Sequence, residues 1–272
     1  MNKFFILICV VLPNLLTAGT PLERMKTRGD MLGWEAVGRV ELDKKAFCTG
    51  VLIAPDQVLT AAHCLFDAKT GAPLKPSDIR FRSGYLDGKS LSDRNAIKYI
   101  ISEGYVHPEG DHSLKSVAKD VAILKLDRPI SNSEAIPFLV HHDGADVSQV
   151  QVMSYGRGRA DAMSWQRQCA KLFQARGLMV FDCDITFGSS GAPVFAMHGT
   201  RVRILSLVSG ITTGKNGEKW VLGAPLSELV TALQTRMRYG DVPMGQVGNG
   251  AKRITVGSKK GAGGAKFLSP KQ

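Results

Sequence analysis

Apolar residues along this chain fall into short runs that alternate with polar residues or are rich in β-branched side chains, and glycine, proline or aspartate separates the runs. Runs of this length and composition are typical of β-strands, and many of them at modest spacing predict an all-β sandwich or a pair of barrels. The clearest examples are AVGRVEL (36–42), GVLIAP (50–55), QVLTAA (57–62), DVAILKL (120–126), VQVMSYG (150–156), RVRILSLVSG (201–210) and KWVLGAP (219–225).

One segment near the end of the chain has a helical pattern instead. In PLSELVTALQTRMRYG (225–240) the apolar residues recur every three or four positions, which predicts a single amphipathic helix with Ser227 as its N-cap. The predicted apolar face consists of Leu226, Leu229, Val230, Leu233 and Met237.

The first 18 residues have the order expected of a secretory signal peptide. Lys3 forms a short charged region, an apolar stretch runs from Phe4 to Leu16, and small residues surround Ala18, where we expect cleavage. The alternative is a retained membrane anchor, but Pro13 interrupts a stretch that is shorter than the roughly 20 residues of a spanning helix. We therefore expect an exported protein, secreted or periplasmic, without a membrane span.

Cysteine usage agrees with export. Cys9 leaves with the leader, and the four remaining cysteines allow two disulfides in three possible pairings. The segment FCTGVLIAPDQVLTAAHC (47–64) predicts two strands around a turn at Pro55 and Asp56, and such a hairpin brings its first and last cysteines together. The four cysteines are Cys48 and Cys64 of this hairpin, and Cys169 and Cys183.

The formal net charge of +11 is unevenly distributed along the sequence. One excess charge is Lys3 in the leader and six lie in the glycine- and lysine-rich stretch after Asp241, which leaves +4 on the rest of the chain. This distribution argues against a specific nucleic-acid-binding domain. We expect a solvated flexible tail, with weak contact to a polyanion as the alternative.

The stretch TFGSSGAPV (186–194) carries the first candidate for chemistry. Glycine supplies positive φ and proline stops the tight turn from continuing, so the loop can expose one serine hydroxyl beside backbone amides. A polar surface turn is the alternative interpretation. A serine hydroxyl is a weak nucleophile until a base takes its proton, so a catalytic function requires a base and an orienting acid elsewhere.

Two other segments supply those groups. His63 follows a short predicted strand in VLTAAHC, and Asp120 begins DVAILKL, where an apolar strand would partly bury its carboxylate. A buried carboxylate needs a partner, and an imidazole N–H satisfies it while fixing the tautomer. A zinc site is the alternative for a histidine beside a cysteine, but the sequence contains no C-x-x-C or H-x-x-x-H pair that would supply the remaining ligands.

Together, LTAAHC (59–64), DVAILKL (120–126) and GSSGAP (188–193) resemble, in this order, the three signature segments of chymotrypsin-like (trypsin-like) serine endopeptidases. The similarity covers roughly residues 34–235 and is nearest to exported bacterial members. The order His, Asp, Ser distinguishes this family from subtilisins and α/β-hydrolases.

The resemblance implies an all-β fold of two six-stranded antiparallel β-barrels with a C-terminal helix and a site between the barrels. His63 would be the general base, Asp120 would orient it, and Ser190 would be the nucleophile. The backbone N–H groups of Gly188 and Ser190 would form the oxyanion hole. The resemblance further implies a monomer that acts on polypeptides and needs no cofactor or metal.

The resemblance also suggests specificity residues. Asp184 matches the pocket-floor aspartate that selects Arg or Lys, although a structural aspartate in a loop tied by a Cys169–Cys183 disulfide is the alternative. Val208 stands near the position where glutamate-selective members carry histidine, and the segment 208–210, ending at Gly210, would pair with the extended substrate. Ser189 replaces the aspartate that pairs with a newly released N-terminus in zymogen-activated members, which argues against that mode of activation.

The predicted division of the chain is a leader (1–18), an N-terminal segment or short propeptide (19–33), a first barrel (34–133), a second barrel with the helix (134–240) and a basic tail (241–272). A protease-fold binding protein with a silent site is the competing function, as is a protease with small-apolar or Glu specificity. The intact set of candidate catalytic residues favours an active endopeptidase.

Overall fold

The computed structural model of the chain describes residues 19–43, 46–107, 114–142, 147–214 and 216–240. The predicted leader and the predicted basic tail lie outside these residues. No helix in the described ranges has the length and apolar character needed to cross a membrane.

Strands from the first half of the chain form a closed antiparallel barrel in the order β2-β3-β4-β7-β6-β5. Its interior is filled by the inward-facing apolar side chains of alternating strand positions, as expected for a small barrel. The strands of this half are β1 (Glu23–Arg24), β2 (Val37–Leu42), β3 (Ala46–Ala54), β4 (Gln57–Thr60), β5 (Ile79–Ser83), β6 (Ser92–Ile101) and β7 (Ala122–Leu126).

The predicted hairpin around Pro55 and Asp56 is present as β3 and β4. Cys48 on β3 and Cys64, four residues after β4, form a disulfide with their Cα atoms 6.4 Å apart. The bond fixes the segment after β4 against β3, and this segment contains His63.

Strands from the second half form a sheet in the order β9-β10-β13-β12-β11-β8, and an additional β8–β9 pairing closes it. The two closed sheets and the C-terminal helix confirm the predicted fold class. A second disulfide joins Cys169 and Cys183. The remaining elements are the short helix α1 (Leu114–Val117), β8 (Gln149–Gly156), β9 (Arg159–Ala175), β10 (Leu178–Phe181), β11 (Pro193–His198), β12 (Arg201–Thr213), β13 (Lys219–Pro225) and the helix α2 (Ser227–Tyr239).

Helix α2 lies where the sequence predicts it, but its N-cap differs. Leu226 occupies the cap position without a side-chain hydrogen bond, so the prediction of Ser227 as the cap is wrong. Ser227 is the first helical residue, and its carbonyl accepts a hydrogen bond from the Thr231 hydroxyl at 2.8 Å. The helix ends at Gly240, whose φ of +79° suits glycine at this position.

An aromatic cluster joins the two barrels. Trp34 precedes the first barrel, Phe138 lies in the connection between the barrels, and Phe195 belongs to β11 of the second. Their ring centroids are 4.7 to 5.7 Å apart, in tilted or edge-to-face arrangements. Phe195 is fully buried, Trp34 and Phe138 are partly buried, and all three rings pack in an apolar cluster that both barrels share.

The segment before the first barrel is also part of the folded structure. Strand β1 adds to β9 of the second barrel, whereas Arg28 donates hydrogen bonds to the backbone oxygens of Gly84 and Lys89 in the first. Met25 and Met31 are buried. Residues 19–33 therefore contact both barrels, and Met25 and Met31 belong to the apolar cluster that the barrels share.

Shortening a buried side chain of this N-terminal segment should destabilise the whole fold. Met31 is fully buried, so Met31→Ala should lower the free energy of unfolding by about 2 to 5 kcal/mol through lost burial and a residual cavity. The neighbouring Leu32 is 73% exposed, so Leu32→Ala should change it by less than about 0.5 kcal/mol. Urea unfolding of both variants measures the difference, and equal effects would mean that the segment is not integral to the fold.

Candidate active site

His63 and Asp120 meet because of the register between β4 and β7. Thr60 pairs with Ala122, so the residues that follow β4 lie beside the residues that precede β7. The His63 Nδ1 atom lies 2.7 Å from Oδ2 of Asp120, and the His63 backbone N–H donates to Oδ1 at 2.8 Å. Both carboxylate oxygens of Asp120 therefore contact His63, and they fix the orientation of the imidazole ring.

The environment shifts the pKa values of both groups. Burial opposes the charged imidazole, but the charge of Asp120 and its hydrogen bond outweigh burial and raise the pKa of His63 above 6.5. Burial likewise opposes the Asp120 carboxylate, yet the charge of His63 and hydrogen bonds from His63 and Ser209 lower the pKa of Asp120. The carboxylate is buried and ionised because its hydrogen bonds replace water.

Ser209 is a site residue that the sequence analysis did not identify. Its hydroxyl donates a hydrogen bond to Oδ2 of Asp120, the same oxygen that faces the imidazole. The register between β12 and β13 shifts between Val208 and Gly210, and this irregularity lies at Ser209. A serine in LVSGI gives no sequence signal for this contact, since the contact depends on the bulge.

The GSSGAP loop lies directly against the segment that leads to His63. The Ser190 carbonyl accepts a hydrogen bond from the Thr49 N–H at 2.8 Å. A Cβ atom on Gly191, which has φ of +75°, would lie 2.3 Å from the Thr60 hydroxyl and 2.8 Å from the Ala61 nitrogen. The glycine permits this approach, which brings Ser190 to the His63 segment.

Ser190 is half-buried, and within the described residues its hydroxyl forms no hydrogen bond with His63. The backbone N–H groups of Gly188 and Ser190 also donate to no acceptor within the described ranges. Gly188 has φ of +93°, and a Cβ atom there would lie 2.3 Å from the Phe47 ring. Glycine is thus required at position 188. Two backbone N–H groups that have no acceptor within the described ranges lie beside the candidate nucleophile.

Ser189 is fully buried, and an arginine lies beside it. Its hydroxyl lies 3.2 Å from the Tyr155 carbonyl and accepts a hydrogen bond from Nη2 of Arg159 at 3.3 Å. Arg159 also donates to the Ser154 carbonyl at 2.6 Å and to its hydroxyl at 2.9 Å. Burial lowers the pKa of Arg159, and the charge of Asp184 partly opposes that effect.

The candidate specificity residues lie in different surroundings. Asp184 is exposed and forms an ion pair with Lys219, whose Nζ lies 3.4 Å from Oδ1 and also donates to the Ile185 carbonyl. Val208 is buried in the core of the second barrel. Gly210 pairs with Leu222 across β12 and β13.

The disulfides leave no thiolate for a metal at this site. The sulfur atoms of Cys48 and Cys64 and a ring nitrogen of His63 lie within 4.8 Å of one another. Both sulfurs are bonded to each other, whereas a zinc site of this composition needs deprotonated cysteines. The donor set therefore does not fit the zinc alternative.

Known proteins similar to this chain include proteases. Hypodermin-A of Hypoderma lineatum is 30% identical over 50% of this chain and 52% of its own length. A trypsin of Saccharopolyspora erythraea is 32% identical over 36% of this chain and 38% of its own length. The chain thus spans about a third to a half of these curated relatives.

The fold is also similar to that of a solved Glu endopeptidase, with a TM-score of 0.64, 16% identity, and coverage of 79% of this chain and 97% of that one. The sequence model of the family described as Trypsin matches residues 27–224, which is most of the chain and includes all three signature segments. With the two barrels and the His63–Asp120 pair at their junction, this match identifies the chain as a member of the trypsin family.

Proposed function

We propose that this chain is a serine endopeptidase that hydrolyses peptide bonds through an acyl-enzyme. One observation carries the proposal: Asp120, buried and hydrogen-bonded to Ser209, orients His63 at the point where the loop of Ser190 packs against the His63 segment. This arrangement supplies a nucleophile, a base and an orienting acid.

In the proposed reaction the Nδ1–H of His63 donates to Asp120, which leaves Nε2 unprotonated. Nε2 takes the proton of the Ser190 hydroxyl while Oγ attacks the scissile carbonyl, and the resulting imidazolium then protonates the leaving amine. Water repeats the sequence on the acyl-enzyme and releases the acid product. The Ser190–His63 hydrogen bond forms when substrate binds, as is common for catalytic contacts that are long in the free enzyme.

The oxyanion of each tetrahedral intermediate is assigned to the N–H groups of Gly188 and Ser190. Support comes from the lack of an acceptor for either N–H within the described ranges. A donor that is already oriented needs no rearrangement as negative charge develops, and one such donor is worth roughly 10²- to 10³-fold in turnover.

The substrate backbone is assigned to the edge of β12. Strand β12 pairs with β11 from Arg201 to Leu207, whereas its pairing with β13 continues to Thr213. Residues 210–213 therefore have an edge that β11 does not cover, and an extended peptide can pair with it.

Cleavage after Arg or Lys is the proposed specificity, with Asp184 as the anchor. The ion pair with Lys219 is exposed, and such pairs are worth only about 0.2 to 1 kcal/mol, so a basic substrate side chain can displace Lys219. Selection for basic residues should accordingly be modest.

Glutamate specificity is the second candidate, because Lys219 itself could pair with an acidic side chain and similar proteins include glutamyl endopeptidases.

Export and a monomeric state belong to the same proposal. The two disulfides suit an oxidising compartment, secreted or periplasmic. The leader (1–18), the basic tail (241–272) and the proposed domain boundaries stay predictions.

Replacing the nucleophile should abolish peptide cleavage. Ser190→Ala should lower turnover by about 10⁶-fold, because the remaining groups cannot form the acyl-enzyme. The measurement is the initial rate on peptides that differ only in the residue before the scissile bond, which is Arg, Lys, Phe, Ala or Glu.

The same rates test the specificity residues. Asp184→Asn should reduce cleavage after Arg and Lys, and Lys219→Gln should increase cleavage after Arg and Lys.

The same peptides distinguish the alternatives. If Lys219→Gln lost cleavage after Glu while Asp184→Asn retained it, Lys219 would be the residue that anchors the substrate side chain. That result would exclude Arg/Lys specificity. No cleavage of any peptide, together with no labelling of Ser190 by a fluorophosphonate, would instead support a silent binding protein.

Activity should decline as the pH falls through a midpoint above 6.5. The base must be neutral, and the Asp120 carboxylate raises the pKa of His63, so protonation removes the base at a higher pH than for an ordinary histidine. The acid limb of kcat/KM measures this midpoint, and NMR titration of His63 in Ser190→Ala checks the assignment. In Asp120→Asn, burial acts without the carboxylate, so the His63 pKa should fall below 6.5; an unchanged value would contradict the pairing.

Arg159 is proposed as a positioning residue for the Ser190 loop. Arg159 donates hydrogen bonds to the hydroxyls of both Ser189 and Ser154. Ser189 stands where zymogen-activated relatives carry an aspartate that pairs with a released N-terminus. Activity should therefore not require a particular N-terminus. Arg159→Met should lower kcat roughly 10- to 100-fold with little change in KM, and Arg159→Lys should restore part of it. Arg167→Met, on the outer face of the same strand, is the control.

A short peptide added before residue 19 should leave the activity intact. If this extension abolished turnover while Arg159→Met did not, the loop would depend on a free N-terminus instead.

A further inference from the structure

A cavity of about 730 Å³ lies away from the Ser190 loop, between structural elements of both halves. Helix α1 and the residues after it form one wall, the β9–β10 hairpin forms another, and the first turn of α2 forms the third. The connection between the barrels contributes His141 and His142. None of these lining residues belongs to the proposed catalytic machinery.

The lining of this cavity is strongly basic. Lys115, Lys119, Lys171 and Arg176 contribute four cationic side chains, and Glu228 is the one acidic residue among the described lining. Lys115, Lys119 and Arg176 form no ion pair within the part of the chain that the structure describes. Lys115, Lys119 and Arg176 are exposed residues that line one space. Like charges in one space repel each other, and a bound anion relieves that repulsion.

Backbone N–H groups add to the positive potential of the cavity. Ser227, Glu228 and Leu229 form the first turn of α2 and line the cavity, and Leu226 at the cap position supplies no side-chain acceptor for their N–H groups. The N-terminus of a helix carries a partial positive charge and binds oxyanions through such N–H groups. The helix terminus therefore reinforces the cationic side chains.

Arg176 occupies a position that the turn itself does not explain. It has φ of +53° in the two-residue connection between β9 and β10, a conformation that Asn, Asp and Gly adopt more easily. Arg176 is one of the residues that line the cavity, and the planar guanidinium of arginine matches the geometry of oxyanions.

We propose that this cavity binds a multiply charged oxyanion, a phosphate or sulfate group. The lining is rich in groups that only donate hydrogen bonds, which suits an acceptor-only ligand. Its volume is in the range of small-molecule sites. The predicted basic tail has the same sign of charge and is not a suitable occupant.

The test is calorimetric titration of the full mature chain carrying Ser190→Ala, so that binding is measured independently of peptidase activity. The probes are sodium pyrophosphate, sodium sulfate and a sulfated disaccharide, each against sodium chloride at equal ionic strength. Tighter binding of pyrophosphate would identify a small phosphorylated ligand, and tighter binding of the disaccharide would identify a sulfated glycan.

Three kinds of variant locate the binding site. Lys119→Gln and Arg176→Gln should each weaken binding about three- to tenfold, because each removes a charge-assisted contact. Glu228→Gln should strengthen binding, since it removes the described acidic residue. Lys98→Gln and Arg201→Gln, which remove exposed cations elsewhere on the barrels, should leave the dissociation constant unchanged.

Two results would overturn the proposal. One is the absence of binding beyond the chloride control for all three probes. The other is binding that Lys119→Gln and Arg176→Gln do not weaken, or that the two control variants weaken equally, because the anion would then bind the basic tail or the general surface charge.

Discussion

Thr49 is the residue on which the relation between the two barrels and the site depends. It is fully buried on β3 of the first barrel, and its N–H and hydroxyl both contact the second. The N–H donates to the Ser190 carbonyl, and the hydroxyl donates to the Gly188 carbonyl at 2.9 Å while accepting from the Tyr155 N–H at 3.1 Å. A side chain without a hydroxyl would leave buried backbone groups without partners, which is costly.

The same short stretch of β3 also controls the other half of the site. Cys48 precedes Thr49 and is bonded to Cys64, the residue after His63. The Thr49 carbonyl accepts a hydrogen bond from the Thr60 hydroxyl at 2.9 Å, on the strand that leads to His63. Two consecutive residues therefore position the imidazole through a covalent bond and the serine loop through hydrogen bonds, so the distance between base and nucleophile is set largely by one strand.

Local sequence patterns predicted what depends on neighbouring residues. Alternating apolar runs predicted the strands, and the hairpin around Pro55 predicted the first disulfide. The signature segments predicted that His63 and Asp120 meet. The contacts that were missed depend on geometry between distant segments: Ser209 reaches Asp120 only because β12 is irregular there, and Arg159 reaches Ser189 across 30 residues. The cap of α2 was mispredicted because Leu226 is held by burial, which overrides the preference of serine for that position.

The attachment of the N-terminal segment has a consequence for how the molecule folds. Strand β1 pairs with residues of β9 that lie about 140 positions later in the chain, and Arg28 at the same time binds the first barrel. Contacts of such long sequence separation form slowly, because a large loop must close before they contribute stability. A chain whose barrels had assembled before this N-terminal connection docked would leave Met25 and Met31 exposed, although both are buried in the complete fold.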